Sequence, residues 1–287
     1  MVKNVLATSL GIVSQFTIAI LGIICLGALP GLFNGLKLNF SQYFITIKEL
    51  LINLSEPSKL TYSYGNRLLF PEILIRYQET FIVFILSFFF SILLAIIIVY
   101  FLMGVKERTL NTFKSIFLFL ESIPDILLIV SMQFFIVWLY KKTNILFVNI
   151  AAAGDEKVRA LPILALSIPT TIMFIKLLLL RFQTEFEKNY ILLAKSKGLG
   201  KFKLFYNHVL RNVLLSLFFF TKTSIWFMLS NLYIIEYFFN SIGILIFVKD
   251  YNTIEVFTVS LLLIYLPIFI YLQIFKMVTP KLIKEVV

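Results

Sequence analysis

The sequence predicts an all-α polytopic membrane protein with six transmembrane helices. Three observations carry this: the apolar content, uncharged runs of membrane-spanning length, and basic residues gathered between those runs. The 287 residues are 60% hydrophobic and 14% charged, with a mean hydropathy of +0.96. A soluble domain is nearer about half apolar and about a quarter charged, because one face of each element must meet water. Crossing a hydrocarbon core of about 30 Å takes about 20 apolar residues in a helix. Val5–Leu29, Thr80–Val105 and Val256–Phe275 contain no charged residue. Three further apolar runs carry some charge, which places the six spans at about 5–29, 80–105, 115–140, 160–180, 212–235 and 256–276. Between them they leave no stretch for a soluble catalytic domain, so residues 1–287 are expected to form a single transmembrane domain.

The first run could also be read as a cleaved signal peptide, with small residues at Gly27 and Ala28. Its apolar stretch exceeds the roughly 7–15 residues of a signal core, which favours a retained anchor. Lys and Arg number 26 against 15 Asp and Glu, a formal charge of +11. The basic residues lie between apolar runs and no aromatic-interleaved basic groove occurs, so the excess points to lipid head groups and topology rather than nucleic acid. A single cysteine, Cys25, excludes an intramolecular disulfide or thiolate cluster.

Cytoplasmic loops of membrane proteins hold the excess of Lys and Arg. The segment 181–211 carries Arg181, Lys188, Lys195, Lys197, Lys201, Lys203 and Arg211, and the loop after the second span carries Lys106, Arg108 and Lys114. The tail adds Lys276, Lys281 and Lys284. With six spans these fall on one side, which predicts both termini in the cytoplasm. The other side receives 141–159, 236–255 and the outer segment 30–79, in which Phe44, Ile47, Leu51 and Leu54 have the spacing of an amphipathic helix.

Within 181–211, Thr184 and Glu187 make a capping-box start, and Lys195 and Lys197 suit a helix C-terminus. Gly198 suits the left-handed stop after it. The spacing predicts a helix over about Glu185–Lys197 that exposes Phe186, Tyr190, Leu193 and Ala194. A short helix with a small apolar patch ringed by lysines can seat in another protein's groove. An ordinary surface helix folded against the membrane is the competing reading.

The stretch A-K-S-K-G-L-G-K-F-K-L-F-Y-N-H-V-L-R-N-V-L-L, Ala194–Leu215, closely resembles the cytoplasmic loop of ATP-binding-cassette (ABC) importer permeases of the dipeptide/oligopeptide/nickel branch. That loop reads roughly A-R-A-K-G-L and then H-x-L-R-N. The resemblance implies that Tyr190, Ala194, Lys197, Gly198 and Leu199, with His208, Leu210, Arg211 and Asn212, belong to the coupling loop that contacts an ATPase subunit. Ser216 stands where the family usually has proline. Ser122-Ile123-Pro124, Leu161-Pro162, Glu236-Tyr237-Phe238-Phe239 with Ile242-Gly243, Asp250-Tyr251 and Thr279-Pro280-Lys281 resemble further family signatures in the same order. The likeness extends from about Tyr64 onward. It implies a type I importer permease in a bacterial inner membrane, a second permease subunit, two ATPase subunits that bind the ATP, and an extracytoplasmic substrate-binding protein.

Four ionisable residues sit at membrane depth: Glu121, Asp125, Lys176 and Lys222. Glu121 and Asp125, four apart, are expected on one helix face. Depth counted from the span ends matches Glu121 with Lys176 and Asp125 with Lys222, as charge pairs or as groups along a solute path. The chain has no G-x-x-x-x-G-K-[ST] phosphate loop, since Gly198-Leu-Gly-Lys201 lacks the earlier glycine. Nor does it carry a nucleophile–base set or metal cluster, so neither catalysis nor a bound cofactor is expected. An ion-coupled transporter or channel using the buried charges, and a non-transporting subunit on the same scaffold, are the alternatives to an ATP-driven permease for peptides or a related small solute.

Overall fold

A helix of 26 residues, α1 (Val2–Gly27), opens the chain. It leads through a short turn to a two-stranded antiparallel ribbon, β1 (Phe33–Asn34) and β2 (Lys37–Leu38), and then α2 (Phe40–Ser55). The remaining helices are α3 (Glu72–Leu102), α4 (Glu107–Ser122), α5 (Asp125–Thr143), α6 (Ala160–Phe186), α7 (Asn189–Ser196), α8 (Lys201–Leu204), α9 (Arg211–Phe238), α10 (Ile244–Asp250) and α11 (Ile254–Val286). The computed structural model describes residues 2–34, 37–62, 67–154 and 156–286, and the side chains in them except those of 2–10, 34, 195, 201–202, 207–208, 211, 215 and 279–286. The turn-formers Gly35, Gly65 and Asn66, and Asp155, lie outside the described residues. Among the described residues, five helices (α3, α5, α6, α9 and α11) are long and apolar enough to cross a membrane, and α1 adds the apolar stretch Gly11–Gly27. The architecture is therefore the all-α, six-helix membrane plan that the apolar runs predict.

The chain divides into two compact units, residues 1–80 with 243–287, and residues 81–242. In the first, α1 runs along α11. The ring of Phe16 lies between Tyr265 and Phe269, at 6.2 and 5.0 Å between centroids. Gln15 Oε1 accepts from Gln273 at 3.3 Å and Lys276 at 2.9 Å. Gly27 is required where the helices close: a Cβ there would stand 2.0 Å from Thr258 Oγ1. The amphipathic helix of the outer segment forms as α2, capped by Asn39, whose side chain accepts from the Gln42 amide at 3.0 Å. Its inward face is centred on Leu50. Leu50 is buried with Ile47 and Leu54 beside it, and Phe44 and Leu51 are exposed. The Tyr43 hydroxyl, which donates to the Cys25 carbonyl at 2.9 Å, helps set that rotation.

The second unit is built on α6, which is buried along most of its length against α9. Two serines of α3 let it approach α6 closely, as small residues do between membrane helices. Ser87 donates to the Ile163 carbonyl at 3.2 Å and Ser91 to the Ser167 carbonyl at 3.1 Å. The equal offset of four residues on both sides makes α3 and α6 parallel. The core gathers Phe174, Leu178 and Phe182 of α6 with Val213 and Leu217 of α9.

One expected span is broken. The run 115–140 divides into α4 and α5 at Ile123-Pro124, both in extended conformation. Proline has no N–H for the helix ladder and pushes its predecessor out of the helical region. The spanning helix is therefore Asp125–Thr143, and Ser115–Ser122 close an amphipathic helix of their own.

Candidate functional site

Between α6 and α9 the chain makes the short helix α7, the turn at Gly198, the single turn α8 and a π-helical turn over Phe205–Leu210. The expected start of the first loop helix at Thr184 is not observed. α6 continues through Thr184, whose hydroxyl donates back to the carbonyls of Leu180 (3.2 Å) and Arg181 (2.9 Å) instead of capping a new helix. The cause is packing. Ile175, Leu178, Phe182 and Glu185 continue one buried stripe at helical spacing, and burying it outweighs a local capping box. The chain turns at Glu187–Lys188, and α7 starts at Asn189.

Glu185 is the centre of the loop. It is 7% exposed and accepts hydrogen bonds from the Tyr190 hydroxyl, from Asn212 Nδ2 at 2.7 Å and from Lys188 Nζ at 2.7 Å. Asn212 also donates to the Tyr190 hydroxyl oxygen at 2.9 Å. One carboxylate thereby ties together the end of α6, the start of α7 and the start of α9. Burial, and the phenol's hydrogen bond to a carboxylate, push the Tyr190 hydroxyl up to about 12. Tyr190 and Asn212 are motif positions; Glu185 as their common acceptor is not visible in sequence, where it reads as one acid in a helix start.

The lower end of α7 closes as predicted. Gly198 has φ +77, and the Leu199 amide reaches back to the Ala194 carbonyl at 3.4 Å, the six-to-one bond of a glycine-terminated helix. Leu199 is half-buried beside the core. Ala194, expected on an exposed patch, is only 6% exposed and sits in the core with Ile191. Those two positions are three apart, so the inward face of α7 is theirs and the outward one belongs to their neighbours. Leu192 and Leu193, 53% and 58% exposed, form the apolar patch, with Tyr190 at its edge and Lys197 and Lys203 exposed nearby in the chain. Phe186 is half-buried in the core. The side chains of His208 and Arg211 lie outside the described residues; their backbones belong to the π-helical turn and the first residue of α9. A cavity of about 480 Å³ opens beside the loop, lined by Tyr100, Phe101, Met103, Phe186, Leu199 and Phe205.

Of the membrane-depth charges, Glu121 and Lys176 meet as an ion pair between α4 and α6. Asp125 and Lys222 do not. The break at Pro124 puts Asp125 in the first turn of α5, where the helix dipole favours a carboxylate. Glu121 and Asp125 thus stand on different helices rather than one face. Gln133 Nε2 donates to the Phe238 carbonyl at 2.9 Å and fixes the register of α5 against α9. Counting back along both helices from that bond sets Asp125 level with about Ser230, some two turns beyond Lys222. Asp125 instead lines a cavity of about 280 Å³ with Pro169, Met173 and Phe227.

The second unit thus carries a lysine-flanked helix, α7, between two helices of membrane-spanning length. The sequence over residues 101–284 matches the family described as binding-protein-dependent transport system inner membrane component. The chain belongs to that family, with the type I importer permease fold. Membership implies ATPase and substrate-binding partners, the ATPase being a separate component of such systems. No curated protein matches the chain.

Proposed function

We propose that this chain is one of two permease subunits of an ATP-driven ABC importer of the dipeptide/oligopeptide/nickel branch. The branch assignment rests on Ala194-Lys-Ser-Lys-Gly-Leu199 and His208-Val-Leu-Arg-Asn212. In this reading α7 lies on the cytoplasmic side with both chain termini, and its Leu192–Leu193 patch seats in a groove of the ATPase subunit. The observation that carries it is the anchoring of α7: Glu185 binds α7 through Tyr190 and α9 through Asn212. A push on α7 therefore reaches two spanning helices as one rigid movement, which is what alternating access requires of an input element. Residues 30–79 and the turn before α11 border a cavity of about 700 Å³, lined among others by Glu56, Lys59, Tyr62, Asp250 and Glu255. On the outer side, this polar surface suits a substrate-binding protein. The transported solute is a peptide or another small solute of that branch.

Reconstitution with the co-purified ATPase subunits tests the proposal. Uptake into proteoliposomes is expected to require ATP and to fall to background when Leu193→Glu disrupts subunit assembly. Uptake driven by an ion gradient without ATP overturns it, and so does a complex that assembles normally with Leu192→Glu and Leu193→Glu combined.

A further inference from the structure

The exposed faces of two spanning helices differ in chemistry. On α3, from Phe81 to Phe101, the exposed residues are Phe81, Leu86, Phe89, Phe90, Leu93, Ile97 and Phe101. All are apolar, as a face toward lipid tails must be. On α9 the exposed residues from Phe219 onward are Phe219 itself, Lys222, Thr223, Trp226, Ser230, Tyr233 and Tyr237. Their spacing of three and four makes one continuous stripe. The opposite face of the helix is buried through Leu217, Ser224, Met228 and Leu232.

Lys222 forms no hydrogen bond or ion pair with any described residue. It stands eleven positions from the start of α9 and sixteen from its end, roughly 16 and 24 Å at helical rise. Centred on a hydrocarbon core of about 30 Å, α9 sets Lys222 about 10 Å inside the nearer surface, beyond the reach of a four-carbon stem, so the ammonium does not snorkel to lipid head groups. A charge held at that depth faces water or an opposite charge. A close helix–helix seam would present glycine, alanine or serine along the contact, whereas this stripe presents Trp226 and Tyr233.

Resting on the permease reading above, we propose that the α9 stripe is a wall of the aqueous route through the membrane. The Lys222 ammonium binds an anionic group, of the carboxylate class, on the solute in transit. The stripe's hydroxyls supply hydrogen bonds and its rings supply broad apolar contact, so the site selects for charge sign without demanding one shape. Lys222 is a binding group and performs no chemistry.

The test needs no knowledge of the solute. In the assembled complex in its membrane, Cys25→Ser removes the native thiol, and single cysteines are introduced as Thr223→Cys, Ser230→Cys and, on α3, Leu93→Cys. Each is treated with an anionic sulfonatoethyl and a cationic trimethylammonioethyl methanethiosulfonate, the sulfonate standing in for the carboxylate. Rates are referred to those of a free thiol. Thr223→Cys and Ser230→Cys are expected to react with both reagents and Leu93→Cys with neither. At Thr223→Cys the anionic reagent is expected to be favoured about ten-fold, the scale on which a local field concentrates counter-ions. Lys222→Gln should bring that ratio near one, and Lys222→Arg should keep it. Continued reaction with the cationic reagent shows that the Gln variant is folded. Silence at both stripe positions, or a ratio that Lys222→Gln leaves unchanged, overturns the proposal. A preserved ratio in a complex that shows no ATP-driven uptake would instead sink the importer reading alone.

Discussion

Asn212, at the second position of α9, places its amide 2.7 Å from Glu185 Oε1 near the end of α6, and the same amide lies 2.9 Å from the Tyr190 hydroxyl. Three helix ends thus share one buried acceptor. A hydrogen bond to a charged group contributes about 1.5–3 kcal/mol. Glu185→Ala is expected to lower the unfolding midpoint in detergent by several degrees and to speed amide exchange in α7 by roughly ten-fold. Glu185→Gln, which keeps one acceptor oxygen, should lose less on both measures. Unchanged exchange in Glu185→Ala would mean that Ile191 and Ala194 alone hold the helix.

The same cluster predicts a pH dependence. Tyr190 is raised from about 10 to about 12, by burial first and by its bond to Glu185 second. The folded state therefore favours the neutral phenol. Its contribution is complete below pH 10 and is lost as pH rises toward 12. The stability difference between the native chain and Tyr190→Phe should be flat up to about pH 10 and then shrink. A difference that grows across that window would contradict the sign.

At Gly198 the backbone has φ +77 and open space where a Cβ would sit. The penalty for another residue is therefore conformational, about 1–2 kcal/mol for alanine. Gly198→Ala is expected to lower stability by that amount and Gly198→Asn by less, since asparagine tolerates the left-handed region. Equal effects in an unfolding titration would point to lost packing instead.

Gly27 presents a steric problem of the opposite kind. A methyl group there meets Thr258 Oγ1, and overpacking of a close contact costs typically about 1–3 kcal/mol. Gly27→Ala should destabilise the chain, and adding Thr258→Gly should restore at least half of the loss. Additive losses in the double variant would show that the two positions do not touch.

The intramembrane charges give a paired test. Lys176→Glu sets a second carboxylate against Glu121 and is expected to reduce membrane-inserted protein several-fold, with recovery in the swapped Glu121→Lys/Lys176→Glu chain. The corresponding swap of Asp125 and Lys222 should bring no rescue, because the Gln133–Phe238 bond holds them out of register. Rescue there would overturn that register.

Periodicity carried the sequence reading where one pattern dominated and failed where two competed. Gly198 was legible because few residues other than glycine suit a left-handed stop after a lysine-ended helix. The break at Ile123-Pro124 was present in the letters as S-I-P, yet the apolar run around it read as a continuous span. Proline is tolerated inside α6 at Pro169 and ends a helix at Pro124, so its presence alone does not choose between the two. Thr184 and Glu187 had the letters of a helix start, but the buried stripe ending at Glu185 kept α6 running through them. Helical spacing puts Ala194 on one patch with Tyr190 and Leu193; only the phase of α7, set by Ile191, turns it inward.

By itself, the sequence determined the solvent, the class of fold and the location of the loop. Apolar runs of span length, basic residues between them and a motif at Ala194–Asn212 depend on composition and order alone. The tertiary structure decided which faces meet: Glu185 under Tyr190 and Asn212, Glu121 with Lys176, and Lys222, with no partner among the described residues, on an exposed stripe of α9. The physical reason is that each of these depends on a rotation or a register between helices. A helical phase error of one residue turns a side chain by about 100°, and only the packing of several helices at once sets that angle.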